Sequence, residues 1–427
     1  MTGQGIAGRL AEEAGRLLGG PLPLRLRAWD GSEAGPKGEG PVVVLRSRRA
    51  LRHLLWQPGE LGLARAYVTG ALDVEGDLAD GLGQVWDAFR AQRLAPPRLT
   101  ARDRARLART ALRVGAVGPR PPVPASEARL GGALHSRSRD RDAISHHYDL
   151  SNAFYSLLLD ETMAYSCGYW TRPKEDGYGA VEAQRDKLEL ICRKLRLEPG
   201  ARLLDVGCGW GSLTLHAAER YGVHVTAVTL AAEQAAYVRE QVAARGLGDR
   251  VDVRCCHYRD IEGGRGSYDA VATVEMGEHV GDAEYPGFAG QLAVMLRPRG
   301  RLLVQQMSRG RVAPGGGAFI ESYIAPDMHM RPLGETVGLL EGAGLEVRHV
   351  QSMREHYVRT VGAWHRTLED RWADFTALVG EEVARVWRLY LVGGALAFAE
   401  GRMGVDQILA VRPDARGSSG VDEEESW

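Results

Sequence analysis

From about residue 180 onward, short apolar runs alternate with stretches whose apolar residues recur at helical spacing. Residues 202–206, 223–229, 251–255, 268–275 and 301–307 are brief and rich in Val, Leu and Ala, and read as strands. Between them, residues 183–195, 210–221, 233–245 and 285–296 carry the 3.6-residue period of helices. Strands alternating with helices predict an α/β domain built on a mostly parallel, doubly wound sheet. In such sheets ligands bind beyond the carboxyl ends of the strands, where the strand order reverses.

The first 115 residues follow another pattern. Apolar runs (LPLRLRAW, PVVVLRS) stand between Gly/Pro clusters and precede a helical stretch, which reads as a small α+β domain. Residues 90–113 hold eight arginines and one acid, Asp103, among Leu99, Leu107, Leu112 and Val114. A basic amphipathic helix of this kind suits an anionic bilayer surface, and equally a solvated helix face. Residues 116–140 are rich in Pro, Gly, Ser and Ala and read as a linker, residues 141–412 as the α/β domain. Residues 413–427 read as a disordered acidic tail.

Composition narrows the classes. Fifty-four basic against 55 acidic residues leave a net charge of -1, which argues against a nucleic-acid-binding protein with a wholly basic surface. The sequence has no run of about 18 uncharged apolar residues, so no spanning helix is expected. It begins without the basic and apolar regions of a secretory signal. Five cysteines, with no CxxC pair, predict neither a disulfide framework nor a metal site and fit a cytoplasmic protein.

The chemistry starts at Leu204-Asp205-Val206-Gly207-Cys208-Gly209-Trp210-Gly211-Ser212, the turn between the first strand and its helix. Glycines let the backbone turn tightly and approach a ligand. A dinucleotide fingerprint would place a third glycine at 212 and an acid at the end of the next strand; Ser212 and Thr229-Leu230 stand there instead. The D-x-G-x-G-x-G spacing resembles the nucleoside loop of S-adenosylmethionine-dependent methyltransferases.

Three further strings narrow the resemblance: residues 144–152 (ISHHYDLSN) with 165–170 (YSCGYW), residues 229–234 (TLAAEQ), and residues 275–281 (EMGEHVG). With the glycine loop they resemble the cyclopropane fatty acid synthase family, including the mycolic acid cyclopropane synthases and their methyl-branching relatives. The resemblance covers roughly residues 140–410 and extends, more weakly, to a lipid-binding N-terminal domain over 1–115. It implies a class I methyltransferase fold and S-adenosylmethionine as the methyl donor. Tyr165 and Ser166 would meet its methionine end, and Gly207 and Gly209 would pass beneath it. Thr229, Leu230 and Gln234 would lie along the ribose, with His257 and Tyr258 at the adenine edge. Position 257 departs from the family, which tends to carry Asp or Trp there.

The family transfers a methyl cation to a carbon–carbon double bond within an acyl chain, and a base then removes one proton. Cyclopropane-forming relatives are proposed to use bicarbonate as that base, held by a Cys backbone, a Glu, a His, an Ile backbone and a Tyr. Cys167, Glu278 and Tyr357 match three of these positions. Gln305 stands where cyclopropane synthases carry His, and Met307 where they carry Ile. Gln cannot become cationic, whereas His can pair with an anion. The same exchange is a feature of methyl-branching relatives, so the expected product is a 10-methylene chain rather than a cyclopropane.

The resemblance thus implies a peripheral enzyme on the inner face of the cell membrane, acting on oleoyl-type phospholipid, as a homodimer and without nucleic acid. A methylene product would need a separate reductase to become a methyl branch. Three other readings stay open at this point: a cyclopropane synthase, a small-molecule N-methyltransferase, and a non-catalytic lipid carrier.

Overall fold

The computed structural model describes residues 5–91, 100–128, 151–261, 264–310 and 316–421. The chain divides into two units. One comprises Met1–Glu127, Gly317–Tyr323 and Trp372–Leu396; the other comprises Ala128–Gly316, Ile324–Arg371 and Ala397–Trp427.

The first unit holds a four-stranded sheet of β1 (Arg25–Arg27), β2 (Glu33–Ala34), β3 (Val42–Leu45) and β4 (Leu72–Glu75), in the order β2-β1-β3-β4. Its small core joins Ala7, Leu26, Leu45, Ala50 and Ala66. Segment 372–396, which the sequence reading assigned to the α/β domain, belongs here. Buried Arg385 explains this, donating to the carbonyls of Tyr67 and Leu72 and pairing with Asp73, 312 residues earlier. The proposed linker is also divided differently, because Ala116 is buried in this unit with Ala111 and Val114.

Two further expectations change. The basic stretch is not one helix: helix Leu78–Ala91 is separate from helix Ala101–Arg113. Thr100 caps the latter, with Asp103 returning the bond in a capping box, and such a box starts a helix. Arg93 and Arg98 lie outside the described residues. The tail is ordered in part, since Asp414 accepts from the backbone of Arg416 and Ser418 and pairs with Arg299. Residues 422–427 lie outside the described part.

The second unit is the α/β domain that the sequence pattern predicts. Its seven strands are β5 (Arg202–Val206), β6 (His224–Thr229), β7 (Val251–Cys255), β8 (Tyr268–Val274), β9 (Leu296–Arg309), β10 (Glu346–Ser352) and β11 (Met403–Val411). Their order is β10-β11-β9-β8-β5-β6-β7, with β5 to β9 parallel and β11 antiparallel to both its neighbours. Adjacent β5 residues face opposite layers, as strand alternation requires. Leu203 packs with Leu213 and Val238, while Leu204 packs with Phe288 and Leu292. Strand order reverses between β5 and β8, so the ligand position expected for this fold is at their carboxyl ends.

Candidate active site

A cavity opens at that switch point. It is lined by Tyr165, Ser166, Gly207, Gly209, Thr229, Leu230, Gln234, His257 and Tyr258, so all nine residues assigned to the methyl donor meet there. Gly207 has φ +82°, and a Cβ on it would come within 2.8 Å of Met276 Cγ. A side chain is therefore excluded both by conformation and by space. Gly209, at φ +54°, faces open space and leaves the backbone bare towards the cavity. Asp205 anchors the turn from below, accepting from Thr214 Oγ1 at 2.7 Å. Burial pushes its carboxyl up to about 6, against that bond and the charge of Lys187.

Thr229 closes β6 and donates to Gln234 Oε1 at 2.8 Å, which leaves the Gln234 amide nitrogen as the donor for a ribose oxygen. His257 Nδ1 accepts from the Arg259 backbone at 3.1 Å, and its ring lies 4.4 Å from that of Tyr258 at an angle of 37°, so the two rings form one side of the cavity. Tyr165 packs against Trp364 at 5.2 Å and Tyr155 at 5.5 Å. Aromatic faces of this kind favour a cation such as a sulfonium. The residues present thus fit S-adenosylmethionine.

Three acidic residues line this cavity, Asp205, Glu275 and Asp327, and Glu275 is the one held by groups expected at the catalytic centre. Its Oε1 accepts from the Cys167 backbone N–H and from Gln305 Nε2, both at 2.8 Å, and its Oε2 accepts from Tyr357 Oη at 2.6 Å. These are three of the groups expected to hold bicarbonate. They hold a side chain of this protein instead, so bicarbonate does not fit the arrangement and no step is derived through it. Glu275 sits directly after β8 with φ +52°, a left-handed conformation unusual for a residue with a side chain. Burial raises its carboxyl, while Tyr357, Cys167 and Gln305 lower it.

Glu278, expected as the catalytic carboxylate directly after the fourth strand, lies one short turn further on, in Gly277–His279. It is 1% exposed and does not line the cavity. Its Oε1 accepts from the Met307 backbone at 2.6 Å, which is the role Met307 plays, and its Oε2 is buried with no hydrogen-bond partner among the described residues. Burial, and then the charge of Glu275, push its carboxyl up to about 8, so at neutral pH it carries a proton. Cys167, Gln305 and Tyr357 likewise stand behind the cavity wall and reach it through Glu275.

Lys187 is the second residue that sequence reasoning passed over. It lines the cavity, is 1% exposed, and donates to Ser166 Oγ at 2.9 Å. The signal was present: Lys187 and Lys194 both fall among the inward-facing residues of helix Ala180–Lys194.

Sheet order, glycine turn and cavity together define a class I S-adenosylmethionine-dependent methyltransferase. A mycolic acid cyclopropane synthase solved with SAH and CTAB superposes with a TM-score of 0.59 at 30% identity, covering 63% of this chain and 97% of that one. Residues 135–408 match the family model described as mycolic acid cyclopropane synthetase, and the chain belongs to this family of fatty acid methyltransferases and cyclopropane synthases. It is 38% identical over 412 residues to a probable fatty acid methyltransferase of Mycobacterium tuberculosis, covering 94% of each chain. It is also 35% identical over 289 residues to a tuberculostearic acid methyltransferase of the same organism, covering 65% of this chain and 66% of that relative.

Proposed function

We propose that this enzyme methylates the double bond of oleoyl-type chains in membrane phospholipid and releases a 10-methylene chain. The observation that carries the reading is the Glu275 carboxylate, fixed by Cys167, Gln305 and Tyr357. The methyl donor, when bound, supplies an electrophilic methyl group. Attack by the alkene leaves a cation on the neighbouring chain carbon. Water must be kept from that cation, and the buried aromatic and apolar wall does this. A hydride then shifts to that carbon, which moves the charge to the carbon bearing the new methyl, where it is tertiary and more stable. Glu275 takes a proton from the new methyl, and the C–H electron pair forms the double bond between that carbon and the chain, giving the methylene branch. Loss of that proton before the shift would close a cyclopropane ring, so on this reading the hydride shift precedes proton loss. The tuberculostearic acid methyltransferase among the relatives supports a methyl-branching chemistry.

Docking to the inner face of an anionic membrane is supported by Arg102, Arg109 and Arg113, exposed on helix Ala101–Arg113, and by Leu112, 66% exposed beside them. No described helix is long and apolar enough to cross a membrane. A reductase acting afterwards would convert the methylene into a methyl branch. The test is proton NMR with mass spectrometry of oleoyl phospholipid after incubation with enzyme and S-adenosylmethionine. Vinylidene protons are expected; high-field ring protons would assign a cyclopropane instead. No added mass would remove the oleoyl phospholipid reading.

A further inference from the structure

Gln351, Gln407 and Gln305 stand in one row across three adjacent strands. The register sets Gln351 opposite Gln407 between β10 and β11, and Gln407 opposite Gln305 between β11 and β9. Lys194 Nζ donates to Gln351 Oε1 at 2.6 Å and to Gln407 Oε1 at 2.8 Å. Gln407 Nε2 donates to Gln305 Oε1 at 2.8 Å, and Gln305 Nε2 donates to Glu275 Oε1 at 2.8 Å. Lys194, Gln407 and Gln305 are each 0% exposed.

A carboxamide has an acceptor at one end and a donor at the other, so two in series point one way or the other. An ammonium group has three donors and no acceptor. It therefore turns the Gln407 oxygen towards itself, and the Gln407 nitrogen must then meet the Gln305 oxygen. The Gln305 nitrogen is left for Glu275, and it also donates to the Cys167 carbonyl at 3.4 Å. The opposite direction would set an N–H group against the ammonium and an amide oxygen against the carboxylate. Hydrogen bonds in such a chain also polarise one another.

Among the described residues no carboxylate pairs with Lys194. The groups that face it are Gln351 and His349 on β10, Gln407 on β11, and Arg301 on β9, which donates to the Lys194 carbonyl at 3.0 Å. Burial pushes the ammonium down to about 7, so keeping a cation here is unfavourable in itself. A purely structural position would be filled better by an apolar side chain.

We infer that Lys194 is a positioning residue for methyl transfer: through Gln407 and Gln305 it directs an N–H bond at Glu275. The inference rests on the role proposed above for Glu275. Two variants separate the direction of the chain from the packing around it. Gln407→Glu keeps the volume and gives the ammonium a carboxylate partner, but removes the donor to Gln305, whose amide should then reverse. Lys194→Met removes the element that sets the direction. Each should lower kcat about tenfold, the scale of one hydrogen bond to a charged group, with KM for S-adenosylmethionine within about twofold. In a Gln305→Leu background, Lys194→Met should cost nothing further, because its effect passes through Gln305. An unchanged kcat in Gln407→Glu, or full additivity in the cycle, would overturn the inference. Where Lys194→Met does not fold, Gln407→Glu carries the test.

A second readout needs no substrate and so stays informative if the proposed lipid is wrong. Neutron diffraction of the deuterium-exchanged protein should show the Gln305 deuterons on the atom next to Glu275, and on the atom next to residue 407 in Gln407→Glu. Deuterons on the other atom in the unsubstituted protein would overturn the inference. Full activity in Glu275→Gln would instead remove the role of Glu275 itself.

Discussion

Tyr357 Oη donates to Glu275 Oε2 at 2.6 Å, joining positions 82 residues apart in the chain. The bond joins the helix Arg354–Asp370 to the end of β8 at the switch point of the sheet. It leaves the Glu275 carboxylate with a donor on each oxygen, since Cys167 and Gln305 hold the other. A carboxylate held this way is oriented before substrate arrives, and preorganised groups act without reorganising in the reaction.

Glu275→Gln should lower methyl transfer by about 100-fold or more, the usual scale for losing a general base. Binding of S-adenosylmethionine, measured by calorimetry, should change little. Glu275→Gly is the more telling variant. The backbone there has φ +52°, which glycine adopts freely, so the turn should survive while a carboxylate-sized space opens. Added formate or bicarbonate should then restore part of the rate. Absence of rescue in a folded, cofactor-binding Glu275→Gly protein would count against proton removal by Glu275.

Tyr357→Phe removes a bond that lowers the Glu275 carboxyl. Without it the carboxyl rises further, so the base is ionised only at higher pH. The acid limb of the kcat profile should move upward, with the plateau reduced by about tenfold. A limb that stays in place would show that Tyr357 does not act through Glu275.

Much of this was legible in the sequence because it is local. The five parallel strands fall within a few residues of their expected positions, and the glycine turn lines the cavity at the end of the first of them. Choosing the carboxylate was harder. Glu275 and Glu278 are three positions apart in one short motif, and only the backbone reversal at Glu275 decides which one turns into the cavity. A positive φ on a residue with a side chain has no sequence signature. Arg385 is hidden for another reason, since its partners Tyr67, Leu72 and Asp73 are more than 300 residues away and no period connects them.

Gly207→Ala should weaken S-adenosylmethionine binding and lower Tm together. The left-handed backbone alone costs an L-residue about 1–2 kcal/mol. The new methyl would also press on Met276, 2.8 Å away. Calorimetry and thermal unfolding of the same sample check both effects. A variant that binds normally would remove the glycine turn from the cofactor site.

The exposed arginines of helix Ala101–Arg113 make a prediction about lipid surfaces. Replacing Arg102, Arg109 and Arg113 with Gln should weaken binding to vesicles containing anionic lipid by about fivefold per residue. The difference should shrink as salt is raised, because these charges are solvated and screened. Co-sedimentation with vesicles of phosphatidylglycerol and phosphatidylcholine reads the effect. Equal binding of the triple variant at low salt would place the docking surface elsewhere.

Glu278 should make the fold less stable as pH rises from acid towards neutral and slightly above. Burial and the neighbouring Glu275 raise its carboxyl from 4.5 to about 8. The folded protein therefore holds a proton that the unfolded chain releases at lower pH. For a group raised on folding, the associated stability is fully present below the unfolded value and is lost as pH rises through the folded one. Tm should thus decline between about pH 4.5 and 8 from this group, with no further loss from it above that window. Glu278→Gln keeps the shape and cannot ionise, so its Tm should fall less over the same range. The Gln amide oxygen can still accept from the Met307 backbone, as Glu278 Oε1 does at 2.6 Å. Parallel Tm–pH curves for the two proteins would mean that Glu278 is ionised throughout, and that its charge is balanced within the fold.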